Sequence, residues 1–153
     1  MRMIAIAVLA LGCASGAVAQ QATAREPMFC EPASYPYDAV AAAPYSHRVL
    51  FEDEHVRILE INLPALATQP IHIHALPSVI MGETGGDAGG KFRYTQYRME
   101  SGKFVEVSHN DIEPTGGYRA VWAGPEGPHA ITNIGQVSVK FTRVEIKPES
   151  CAK

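Results

Sequence analysis

The stretch Pro70-Ile71-His72-Ile73-His74 decides how the rest of this chain is read. Alternation along a β-strand sends residues i and i+2 to one face. His72 and His74 then stand side by side, with Ile71 and Ile73 directed the other way. A third imidazole is offered by His129, in Pro128-His129-Ala130-Ile131-Thr132-Asn133. If the fold joins the two segments, three nitrogens form a coordination shell suited to a divalent transition metal.

Outward from that stretch the chain reads as short strands separated by turn residues. Strands are expected over 48–51, 55–63, 71–74, 78–81, 92–99, 104–108, 118–122, 129–133 and 137–146. Pro64 and Pro77 interrupt the pattern, and Ser101-Gly102 is a hairpin signal. The glycine-rich segment 82–90 reads as a loop or a long hairpin turn. In the last strand Val137, Val139 and Phe141 alternate with Ser138, Lys140 and Thr142, which suits a sheet with one buried side. Past the N-terminal leader no window sustains helical apolar spacing, so the domain is all-β, a sandwich or barrel.

The ends carry different information. Arg2, the apolar run Met3–Leu11 and the small-x-small site Ala17-Val18-Ala19 form a signal peptide over 1–19, cleaved before Gln20. The run is too short to remain as a membrane anchor. Cys13 sits in a loose lipobox, but Leu9 lies one position too far away, and Ala17-Val18-Ala19 is the better site. The expected address is therefore periplasmic or secreted. Residues 20–46 read as an extended arm, 47–148 as the barrel and 149–153 as a tail. Cleavage leaves Cys30 and Cys151, and an even pair in an oxidising compartment suggests a disulfide between arm and tail. Two free thiols remain the alternative, since no spacing rule fixes their distance. A net charge of −3 without a basic cluster argues against nucleic acid or anionic membranes as partners.

The motifs together resemble those of the cupin superfamily, small double-stranded β-helix or jelly-roll barrels. His72 and His74 match its His-x-His element, and Pro125-Glu126-Gly127-Pro128-His129 with Asn133 matches its second motif, one residue short between Gly and His. The likeness covers residues 45–148 and implies a metal held by His72, His74 and His129, with dimer formation as a family habit. Two departures matter. Leu66 stands where the family has a glycine, and the family's Glu ligand falls on Ser78 or Val79. The site implied is thus a three-histidine one, similar to that of cupin thiol dioxygenases and diketone-cleaving dioxygenases. Without the carboxylate it favours Zn, Fe, Ni, Cu or Mn over Mg or Ca.

Other residues are secondary candidates. Tyr94, Gln96 and Arg98 share one strand face; inward, they bind a small oxygen-bearing ligand, and outward they are merely solvated. His47, His55 and His109 read as surface or hydrogen-bonded residues, with His109 in a loop near the barrel mouth. Asn133 reads as structural, and Trp122 as walling the pocket or packing the core, with core packing preferred. No catalytic residue is identifiable, and no Ser/His/Asp triad or phosphate-binding glycine loop is present. The competing functional reading is a metal-free small-molecule binding module.

Overall fold

A computed structural model describes residues 27–83, 90–113 and 117–152. The leader, the start of the arm and most of the glycine-rich segment lie outside the described residues. The expected strands are all present: β1 (His47–Glu52), β2 (Val56–Leu63), β3 (His72–His74), β4 (Ser78–Glu83), β5 (Phe92–Glu100), β6 (Lys103–Ile112), β7 (Tyr118–Ala123), β8 (Glu126–Asn133) and β9 (Val139–Ile146). Ser101 and Gly102 both take positive φ, at 48° and 79°, the backbone of a two-residue hairpin between β5 and β6.

The strands form two antiparallel sheets, β1-β2-β9-β4-β7 and β3-β8-β5-β6. From β2 onward this order is that of a jelly roll, in which early strands pair with late ones. The chain therefore has the double-stranded β-helix fold. One consequence governs the site: β3 lies against β8, with His72 opposite His129 and His74 opposite Glu126. Two steps on β3 answer three on β8, so β8 carries a bulge at Gly127-Pro128.

The interior is not uniformly apolar. On β2 every second residue is buried, namely Arg57, Leu59, Ile61 and Leu63. Their partners on β9 are Glu145, Arg143, Phe141 and Val139 in that order. One end of the barrel is thus lined with charge and the other with hydrocarbon. Trp122 is not a core residue: it is 62 % exposed on β7, which among the described residues pairs with β4 alone. Along β7 it is Arg119 and Val121 that line the interior cavity, which sends Trp122 to the outer face.

The arm is more structured than an extended crossing, from Pro27 onward. It contains α1 (Pro27–Cys30), a 3-10 turn at Pro32–Ser34 and α2 (Ala39–Ala42), whose N-cap is Asp38. Asp38 accepts from the Val40 amide at 3.0 Å, and Ala39 and Ala43 are buried. The arm also bridges to β3, where the Ile73 amide donates to the Tyr37 carbonyl at 2.8 Å. Cys30 and Cys151 form a disulfide across a separation of 121 residues, joining arm to tail. A closed loop of that size stabilises a fold by about 3–5 kcal/mol on the chain-entropy account.

Leu66 answers the question raised by the missing glycine. It keeps the left-handed backbone, at φ 61°, with its side chain mostly exposed. A non-glycine residue there costs about 1–2 kcal/mol. Leu66→Gly is expected to raise the unfolding free energy by about 1 kcal/mol, less what glycine's unfolded-state entropy removes. A lower urea midpoint for this variant would contradict the strain.

Candidate metal centre

Four imidazoles meet at the charged end of the barrel. The β3–β8 pairing brings together the rings of His72 and His129, with centroids 4.4 Å apart. His74 lies 5.2 Å from His72 and 5.7 Å from His129. The fourth ring is His47, 4.6 Å from His72 and 5.3 Å from His74. His47 is the single buried residue of β1, and its strand presents no alternating pattern that singles it out. It is hydrogen-bonded, as expected, but it is a member of the site rather than of the surface.

Each ring is held by its Nδ1. His72 Nδ1 bonds to the Pro70 carbonyl at 2.8 Å and His129 Nδ1 to the Gly127 carbonyl at 2.9 Å. His74 Nδ1 bonds to Glu145 Oε1 at 2.7 Å, and His47 Nδ1 faces the Ala43 carbonyl and Ser46 Oγ at 3.2 Å. Carbonyl and carboxylate oxygens only accept, so Nδ1 carries the proton and Nε2 keeps its lone pair. His72 Nε2 is buried without a hydrogen-bond partner. Among the described residues, two groups have ligand atoms all within 4.8 Å of one another: His47, His72 and His74, and His74, Glu126 and His129. The expected trio of His72, His74 and His129 is divided between these groups, which share His74, and Glu126 brings a carboxylate to the second. The imidazole donors and the orphaned Nε2 fit a bound transition metal.

Burial keeps these rings neutral. It is the largest cause in every case, lowering His47 from 6.5 to about 4 and His72 to about 2. The Ala43 carbonyl opposes the shift at His47, while the neighbouring His129 and His47 rings add to it at His72. His74 is depressed by burial and then by the Arg143 charge, and His129 is lowered by burial against the Gly127 carbonyl.

A buried ion-pair network braces His74 from behind. Arg57 Nη1 and Nη2 bond both oxygens of Asp38 at 2.9 and 2.7 Å, and Arg57 Nε bonds Glu145 Oε2 at 2.6 Å. Burial works against the charge of Arg57, yet Asp38 and Glu145 raise its pKa further. Burial pushes Glu145 upward, and Arg57 opposes that. The network reaches from the arm through β2 and β9 to the His74 ring.

The three residues expected on one face of β5 differ in exposure. Tyr94 lines the cavity beside the imidazoles and stacks on His129, with centroids 5.0 Å apart. Gln96 is exposed and accepts from Ser108 Oγ at 2.9 Å. Arg98 is exposed and paired with Glu100. The extra residue at the β5–β6 register shift is Val107 on β6, so β5 keeps its alternation. Gln96 and Arg98 are exposed because they lie further along the strand than the cavity-lining Phe92 and Tyr94. His109 lies within β6 rather than in a loop, exposed and bonded to Glu106 at 2.7 Å. His55 is likewise exposed. Asn133 is structural: its Nδ2 donates to the Leu63 and Val137 carbonyls, and its Oδ1 accepts from the Gly135 amide.

Two residues of the site were not singled out from the sequence. Glu126 stands within the quoted second motif, but plain alternation puts it on the face opposite His129, and only the bulge reverses that. Its Oε2 accepts from Arg143 Nη1, and its Oε1 lies 3.5 Å from the Tyr94 hydroxyl, which donates. Arg143 was legible, since it continues the parity of Val139 and Phe141. A cavity of about 460 Å3 opens beside these groups, with Ile61, Ile80, Ile131 and Phe141 among its walls.

No protein-family model matches the chain, and no curated protein matches its sequence. Solved structures do. A cupin domain from Bordetella pertussis Tohama I is 20 % identical with a TM-score of 0.48, covering 67 % of this chain and 92 % of that one. An RmlC-like cupin family protein from Methanocaldococcus jannaschii is 18 % identical with a TM-score of 0.44, covering 66 % and 78 %. Oxalate decarboxylase from Bacillus subtilis is 15 % identical with a TM-score of 0.40, covering 61 % of this chain and 22 % of its own. At these identities the likeness is one of fold.

The site yields two predictions on stability. The unfolded chain protonates its histidines below about pH 6.5, whereas the folded rings resist until far lower. Stability of the metal-free protein should therefore be full above pH 6.5 and fall as pH drops towards 4, by up to ~1.4 kcal/mol per pH unit for each buried ring. A urea midpoint that stays flat between pH 7 and 5 contradicts this. Asp38→Ala strands Arg57 with one partner and should cost about 3–5 kcal/mol, read by denaturant unfolding. A cost below ~1 kcal/mol would show that the pair is not buried as described.

Proposed function

We propose that the protein holds one divalent transition metal ion at His72, His74 and His129, with His47 as a fourth imidazole, and binds a small oxygen-bearing organic ligand in the adjoining cavity. One observation carries the reading. Four buried rings each give Nδ1 to an oxygen acceptor, which leaves four Nε2 lone pairs directed away from those acceptors, and that of His72 has no partner at all. Buried imidazoles without a ligand forfeit solvation that an ion would replace. The nitrogen donors select Zn, Fe, Ni, Cu or Mn over Mg or Ca.

When bound, such an ion supplies Lewis-acid polarisation of a ligand oxygen or, as a redox-active metal with dioxygen, oxygenation. The chain's own residues do the rest. The Pro70 and Gly127 carbonyls and Glu145 fix ring orientation, and the apolar walls exclude water from the ligand. Tyr94, on the cavity wall, presents a hydroxyl near Glu126 that can hold a proton beside the ligand. The leader-like N-terminus and the Cys30–Cys151 disulfide support an address outside the cytoplasm. The apolar lining of the cavity favours a second reading, a binding module in which no metal takes part.

Metal analysis separates the two. Protein purified without added metal, or soaked in zinc, should carry about one ion per chain, and His72→Ala/His74→Ala/His129→Ala should carry almost none. At a hundredfold excess over Kd, zinc should stabilise the native protein by about 2.7 kcal/mol, a gain absent from the variant. Zinc uptake near zero after soaking overturns the metal reading. Ligand affinity unchanged in the triple variant would favour the metal-free module.

A further inference from the structure

The cavity beside the imidazoles is walled by hydrocarbon, notably Ile80, Phe92, Val121, Ile131 and Phe141. Its volume of about 460 Å3 sits toward the small end of ligand pockets, which run from about 300 to 1,000 Å3. Gln69, Glu113, Glu126 and two arginines also line it, and of the arginines Arg119 is exposed whereas Arg143 is buried. Arg143 lines this cavity with a side chain only 3 % exposed. Its Nη1 donates to Glu126, but its Nε and Nη2 are buried with no hydrogen-bond partner, Nε lying 3.7 Å from Glu145 Oε1. A guanidinium is always charged and offers its donors as a planar fork that matches a carboxylate.

We propose that the ligand is a monocarboxylic acid with an apolar body, its carboxylate taken by Arg143 Nη2 and its body by the hydrocarbon walls. This ligand occupies the cavity of the reading above, and its contact with Arg143 does not depend on the metal. A branched chain or a single ring matches the size and lining of the space. The carboxylate head accounts for a buried guanidinium donor left unfilled beside hydrocarbon walls.

The test is titration calorimetry with 3-methylbutanoate, its neutral amide 3-methylbutanamide and acetate, on wild-type protein with zinc and after chelation. The branched acid should bind at least tenfold more tightly than its amide, through the head, and than acetate, through the body. Arg143→Gln should abolish the preference for acid over amide. Arg143→Lys, which keeps the charge but loses the fork, should reduce it several-fold and serves if the first variant fails to fold. Equal affinity for acid and amide in wild-type protein, or a preference that survives Arg143→Gln, overturns the proposal. Equal affinity with one zinc bound per chain removes this ligand class and leaves the metal reading standing. An intact preference with no zinc bound does the reverse.

Discussion

The structure depends on a guanidinium that has no access to water. Arg57 sits on the inner face of β2 and bonds Asp38 from the arm and Glu145 from β9. Removing such a charge from solvent is expensive, and only near-complete pairing makes it tolerable. Both carboxylates must therefore be in place for the barrel to close. Glu145 passes the constraint on, because its second oxygen fixes the His74 ring. Packing at the closed end and orientation at the metal centre are thus one problem with one solution.

The N-terminal arm belongs to that solution rather than to the periphery. Asp38 ends the arm's irregular stretch by capping α2, and its carboxylate is the bidentate partner of Arg57. A few residues on, the Ala43 carbonyl faces His47 Nδ1. The disulfide from Cys30 ties the start of this segment to the tail after β9. The covalent staple, the ion pair and the fourth imidazole succeed one another along one short piece of chain. Loosening the arm would reach the site through Asp38 and His47 together.

The strand-by-strand reading succeeded where one rule applied without interruption. Alternation placed His72 with His74, and the Ser101-Gly102 dipeptide located the β5–β6 hairpin, because both depend on adjacent residues alone. It failed where a bulge shifts parity. The extra residue at Gly127-Pro128 swings Glu126 into the site. Gln96 and Arg98 keep the parity of Tyr94 but lie past the cavity, where parity alone does not bring burial. Trp122 misled because size suggests burial, whereas its position on a sheet edge decides exposure. His47 carried no local signal, since its strand neighbours are exposed and its burial comes from the arm and β3.

By itself the sequence determined the strand inventory, the pairing of His72 with His74 and the likeness to double-stranded β-helix proteins. Those follow from periodicities of two residues and from short motifs, which act over a few bonds. Only the tertiary structure decided that β3 runs beside β8, that a fourth histidine joins the cluster and that Arg57 is paired with both Asp38 and Glu145. Those outcomes depend on which strands become neighbours across the barrel. That choice is made by the burial and pairing of groups far apart in the chain, and no local pattern encodes it.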